Sequence, residues 1–116
     1  MPGGRAEALA LLARDPDALL VAVDDDGLAG TVIVGWDGWR CHLYRMAVAD
    51  THRRRGVGAA LVDAALERAR ALGVRRLDAM VADDNDLGIA FWEACGFERY
   101  DHDTRWSLEC GVGRRP

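Results

Sequence analysis

The sequence predicts an α/β fold in which a three-stranded antiparallel meander is followed by helix, strand and helix. Three observations carry this expectation. Residues 18–48 alternate apolar and polar positions between Asp-Gly turns, residues 61–72 repeat apolar positions at helical spacing, and the arginine-glycine stretch Arg53-Arg54-Arg55-Gly56-Val57-Gly58 joins the two. With 116 residues and 50% apolar content, residues 1–116 suit a single domain that buries roughly two-thirds of its unfolded surface around one core.

The elements follow in order. Ala6, Leu9, Ala10 and Ala13 recur at helical spacing until Asp15-Pro16 stops a short first helix. Residues 18–23 and 28–36 read as strands around a hairpin turn in which Gly27 supplies the positive φ, and Asp37-Gly38 makes a second turn. From Trp39 to Val48 two sets alternate, with Trp39, Cys41, Leu43, Arg45 and Ala47 on one face and Arg40, His42, Tyr44, Met46 and Val48 on the other. Leu61, Ala65, Ala69 and Leu72, widened by Val62 and Leu66, form the stripe of a long helix that Gly73 ends. Residues 74–82 read as a strand partly covered on both faces. Residues 83–86 offer N-cap side chains for a helix running from Asp86 to Cys95 and closed by Gly96. Residues 97–109 read as one bent strand or two short ones, followed by a loose tail. No internal repeat or low-complexity segment interrupts this order.

Composition excludes several classes of function. A net charge of −4 argues against a general nucleic-acid or anionic-membrane binder. The 3 cysteines, Cys41, Cys95 and Cys110, lack the paired spacing of a zinc site or a redox dithiol, so no metal is expected and a reduced setting is the default. No apolar run reaches the length of about 20 residues that a membrane span needs, and no secretory signal opens the chain. The expected location is cytoplasmic. The run Asp24-Asp25-Asp26 reads as a polar turn.

The glycine stretch carries the functional signal. A strand feeding a Gly-rich turn that opens a helix makes an anion site, because the helix start leaves unpaired N–H groups at the positive end of its dipole. The nucleoside-triphosphate loop needs Lys and then Ser or Thr after its last glycine, but Ala59 and Ala60 follow Gly58. The dinucleotide fingerprint needs a small residue where Leu61 stands. The third pattern is Gln or Arg, two residues, Gly, one residue, then Gly or Ala, and Arg53 to Gly58 match it. Here the chain resembles the GNAT superfamily of acyl-CoA-dependent N-acetyltransferases. A second stretch, Asn85 opening a helix that closes on Phe91-Trp92 and then Gly96-Phe97, is similar to that family's other signature. The resemblance covers roughly residues 18–108.

The resemblance implies a GNAT-type mixed, mostly antiparallel twisted sheet flanked by helices, with acetyl-CoA as cosubstrate. It implies that Arg53, Arg54, Arg55, Gly56, Val57, Gly58 and Ala59 cradle the pyrophosphate. The backbones of Met46, Ala47 and Val48 would hold the pantetheine arm and polarise the thioester carbonyl, and Asn85 and Trp92 would add contacts. The position that the histone-acetylating branch gives its general base falls on His42, and histidine suits the role because it is largely neutral at pH 7. Many family members have Tyr where Trp92 stands, close to the sulfur; an indole N–H does not titrate usefully, so either Tyr44 is the substitute or the thiolate leaves unprotonated, as a thiol pKa of about 8.5 allows. The family's usual opening of a strand and two helices is represented here by one short helix. This implies an acceptor cleft that is wide, completed by a second subunit as a homodimer, or completed by elements outside the sequence. The expected reaction is direct acetyl transfer to a primary amine on a small molecule or peptide. The alternative is a catalytically weak acyl-CoA-binding or regulatory module.

Overall fold

The computed structural model describes residues 5–111. Helix α1 spans Arg5–Arg14, and a 3-10 turn at Pro16–Ala18 leads into strands β1 (Leu19–Asp24), β2 (Gly27–Trp36) and β3 (Cys41–Val48). A second 3-10 turn at Asp50–His52 precedes α2 (Val57–Ala71), which is followed by β4 (Leu77–Ala79) and α3 (Asp86–Ala94). The sheet order is β1-β2-β3-β4. β1, β2 and β3 form the expected antiparallel meander, and β4 lies parallel to β3, so the sheet is mixed.

Its core sits between the sheet and α2. Val32 and Val34 of β2, Cys41 and Leu43 of β3, Leu77 of β4 and Leu61, Ala65 and Ala69 of α2 form one buried cluster. The α2 residues are the stripe its sequence period requires, and each large apolar side chain sealed here contributes about 1.5–3 kcal/mol. At the far end, Arg68 of α2 bonds Asp15 at 2.6 Å, with only 14% and 18% of the two side chains exposed, which ties the end of α1 to α2.

The register of β3 contains the feature that shapes the site. Ile33 pairs with Tyr44 and Thr31 with Ala47, so Arg45 and Met46 together oppose Val32 alone. This is a β-bulge, with Arg45 at φ 55. The extra residue shifts the alternation, and Met46 packs with Cys41 and Leu43 against the core rather than beside His42 and Tyr44, as strict alternation predicts. The pairing of β3 with β4 stops just before the bulge, at Leu43 opposite Ala79. β4 ends there, so from Tyr44 onward β3 has no partner on that side.

Three other expectations need correction. In α1 the exposed residues include Ala6, Leu9, Ala10 and Ala13, while Ala8, Leu11 and Leu12 are half-buried. Apolar residues surround this helix, so its period selects no single face. The strand expected over residues 74–82 is confined to Leu77–Ala79, since the Val74 N–H is spent closing α2 on the Ala69 carbonyl at 2.9 Å. Residues 97–109 form no strand; β4 offers too short an edge to build on, and Trp106 is 92% exposed and Leu108 70%. The tail beyond Gly111 lies outside the described residues.

Candidate active site

The glycine loop opens α2 as a bare helix start. Gly56 is the N-cap at φ 78, ψ 11, a left-handed conformation that favours glycine, and it supplies no side-chain cap. The first helical bond runs from the Ala60 N–H to the Gly56 carbonyl at 3.0 Å, so the amides of Val57, Gly58 and Ala59 lie ahead of it. The first turn carries no acidic residue to neutralise the dipole. Arg53, Arg54 and Arg55 are exposed around this end. Arg53 meets Asp50 at 3.2 Å, but both side chains are open to water, so the pair leaves its charge available to a ligand.

Gly58 has a packing reason as well. A Cβ there would stand 2.9 Å from the Phe91 ring, so a side chain at this position would displace α3. Phe91 meets Trp92 edge-on at 4.9 Å and Trp92 meets Phe97 at 5.0 Å, which seats the indole against the core. The Asn85 Oδ1 accepts the Gly88 N–H at 3.0 Å, so its oxygen is committed to capping α3.

On the sheet face opposite α2, His42 and Tyr44 stand together with ring centroids 6.1 Å apart. Gly35 allows this, because a Cβ at that position would lie 2.7 Å from the Tyr44 ring. The two rings line a shallow cleft of about 200 Å³ with Arg14, Trp36 and Asp37. Arg40, predicted on the same face, lies before β3 with its guanidinium stacked 4.4 Å over the Trp39 ring. The Asp37 Oδ1 accepts N–H bonds from Trp39 at 2.8 Å and Arg40 at 2.7 Å. Those bonds, Arg40 first, hold its carboxyl below the ordinary carboxylate range, with the nearby His42 charge adding to the effect. The Trp36 indole N–H is buried without a partner. A second cleft of about 210 Å³ is lined by Ala47, Val48, Gly30 and Thr31, among others, beside the bulge.

Sequence reading brought out His42, Tyr44 and the loop, but missed Arg14, Trp36 and Asp37, which only the fold gathers. It also missed His52. This side chain is buried, and its two ring nitrogens are 2.6 Å from Asp24 Oδ2 and 2.9 Å from Thr51 Oγ1, linking the β1–β2 turn to the segment before the loop. The Asp24 carboxyl is held below its ordinary range by the Asp26 N–H and then by His52. Among the described residues, Asp24, Asp26 and His52 are the one group whose metal-ligand atoms lie within 4.8 Å of one another, and the hydrogen bonds already account for its geometry. Burial pushes the Cys41 and Cys95 thiols up, away from nucleophilic use. No described helix is long and apolar enough to cross a membrane.

Comparison with known proteins agrees with this layout. The profile of the Acetyltransferase (GNAT) family matches residues 2–97. Proteins named acetyltransferase from Yersinia pestis and Pectobacterium atrosepticum are each 34% identical over 90 residues, which is 78% of this chain and 64% of theirs. The chain thus spans less than two-thirds of the length of these relatives. Among solved structures, Ard1 from Thermoplasma volcanium superposes with a TM-score of 0.72 at 29% identity, covering 80% of this chain and 64% of that one. AAC(6')-Iy, solved with the bisubstrate analogue CoA-S-monomethyl-acetylneamine, gives 0.73 at 20% identity over 94% of this chain and 84% of its own, a likeness of fold. Family profile, relatives and fold give one answer: the chain belongs to the GNAT acetyltransferase family.

Proposed function

We propose that the protein transfers the acetyl group of acetyl-CoA directly to a primary amine. The observation that carries this reading is the uncapped start of α2 beside the end of β3, in the stretch that has no β4 partner. A phosphorylated thioester needs amide donors without a competing carboxylate, and the Val57, Gly58 and Ala59 amides offer them within a rim of three arginines, Arg53, Arg54 and Arg55. Acetyl-CoA supplies the activated acyl group. The edge of β3 from Tyr44 to Val48, unpaired on its β4 side, offers backbone groups at Met46, Ala47 and Val48 to hold the arm and polarise the carbonyl.

His42 is the proposed base. An amine attacks only as the free base, and the imidazole is half-buried in the cleft, its ring tilted 36° to that of Tyr44, with the Asp37 carboxylate nearby. Tyr44, 45% exposed, carries the hydroxyl that can donate toward the leaving thiolate. Residues 1–116 are read as one such domain, cytoplasmic, with small-molecule or peptide amines as acceptors and no metal. Strand β1 leaves a free sheet edge that suits a homodimer.

Release of free CoA thiol in the presence of an amine panel tests the reading. Amine-dependent release that falls in His42→Gln supports it, and no release with any amine contradicts it. One observation favours the second reading, an acyl-CoA-binding module without turnover: Trp92 is packed between Phe91 and Phe97 and offers no acid. Acetyl-CoA binding with no thiol release identifies that case.

A further inference from the structure

We infer that the cleft beside His42 takes an acceptor that is itself a zwitterion, a small amine bearing a carboxylate, with Asp37 facing its ammonium group and Arg14 its carboxylate. This deepens the acetyl-transfer reading, and rests on it only in calling the ligand an acceptor.

Charge is the first ground. Arg14 and Asp37 line the same cleft with opposite sign, yet neither belongs to an ion pair among the described residues, whose salt bridges are His52–Asp24, Arg53–Asp50, Arg68–Asp15, Arg76–Asp78 and Arg99–Asp83. Two opposite charges set in one depression without forming an ion pair match a dipolar ligand that spans them. A polycationic amine fits poorly, because a second ammonium would meet the guanidinium.

Placement is the second ground. Arg14 donates from Nη2 to the Trp36 carbonyl at 3.0 Å, and Asp37 is the next residue, its Oδ1 fixed by two backbone N–H groups. Both charges are therefore positioned around one peptide unit, with Oδ2 of Asp37 and the rest of the Arg14 fork outside those bonds. Size is the third ground. A cleft of about 200 Å³ holds roughly seven waters, which is the scale of a small amino acid rather than of a protein segment. Trp36 and Tyr44 provide faces for an apolar side chain and for the ammonium. His42 in the same cleft receives the amine that Asp37 attracts.

The test uses the full chain and matched ligands followed by NMR titration: alanine and phenylalanine, their decarboxylated amines, and the corresponding acids without the amino group. Each amino acid is expected to bind about tenfold or more tightly than either fragment. Arg14→Gln should remove the advantage over the amine and leave the advantage over the acid, and Asp37→Asn should do the reverse. Both side chains lie at the surface, so circular dichroism should show both variants folded. Equal binding of amino acid and amine, an unchanged ratio in Arg14→Gln, tighter binding of a diamine, or no saturable binding at all overturns the inference. Thiol release with the same ligands separates the two claims. Acetylation without preference for a carboxylate rejects the zwitterion cleft and keeps acetyl transfer, whereas preserved amino-acid binding without thiol release does the opposite.

Discussion

The two halves of β3 have different work. Cys41 to Leu43 are paired on both sides, to β2 and to β4, with Cys41 and Leu43 sealed against α2. Tyr44 to Val48, beyond the last β4 partner, are paired on one side only, contain a bulge, and lie beside both clefts. One strand thus anchors the core and then opens an edge, and the change occurs within a single residue step. The open edge begins directly after three residues that are held from both sides.

Substitutions can break that division, and the largest effect should come from the anchored half. Leu43→Ala empties a position only 5% exposed and should cost about 2–5 kcal/mol in denaturant unfolding, with ligand affinity per folded molecule little changed. One residue earlier, His42→Gln should leave stability within about 0.5 kcal/mol while lowering kcat by about a hundredfold or more. An equal loss of stability in both variants would mean that the core face and the cleft face of this anchored half are not distinct.

A smaller effect should separate packing from binding in the glycine loop. Gly58→Ala gains about 0.5–1 kcal/mol of helix propensity but forces a Cβ against Phe91, a clash worth about 1–3 kcal/mol. The net should be a loss of about 1 kcal/mol, and in a Phe91→Leu background the same change should become neutral or stabilising. An identical cost in both backgrounds would remove Phe91 as the reason for glycine.

The smallest effect concerns the latch behind the loop. The folded state depresses the Asp24 carboxyl below its ordinary value of 3.8, chiefly through the Asp26 N–H and then His52. Its stabilisation is therefore complete above that value and is lost as pH falls through the lower folded value. Asp24→Asn should flatten the acid slope of thermal stability below about pH 4. An acid slope identical to that of the unsubstituted protein would remove Asp24 from the account.

Much of this was legible in the residues. Gly-rich turns, the Leu61–Ala65–Ala69 stripe and the Asn85 cap each have a local cause, and the structure forms the elements they predict. The loop was legible because what it exposes is backbone amides, whose availability a glycine and a helix start announce. The cleft beside His42 was not. Arg14 and Asp37 line one cleft only because α1 folds back onto the end of β2, and a lone arginine or aspartate carries no local mark of that. Period-two reading placed Met46 on the wrong face because nothing in Tyr44-Arg45-Met46 signals a bulge; Arg45 adopts its φ of 55 through pairing with β2, not through its own preference. Residues 97–109 show the converse case, with strand-like alternation in Trp106 and Leu108 but no ladder to join.

Calorimetric titration with acetyl-CoA, run beside dephosphorylated fragments of the same molecule, tests most directly whether the open end of α2 is a pyrophosphate cradle. The expected result is saturable binding that weakens by about tenfold or more without the pyrophosphate and disappears in an Arg53→Ala, Gly58→Asp double variant. Equal affinity for the fragments, or unchanged binding in the double variant, would contradict the cradle and leave the glycine loop as a packing device for Phe91 alone.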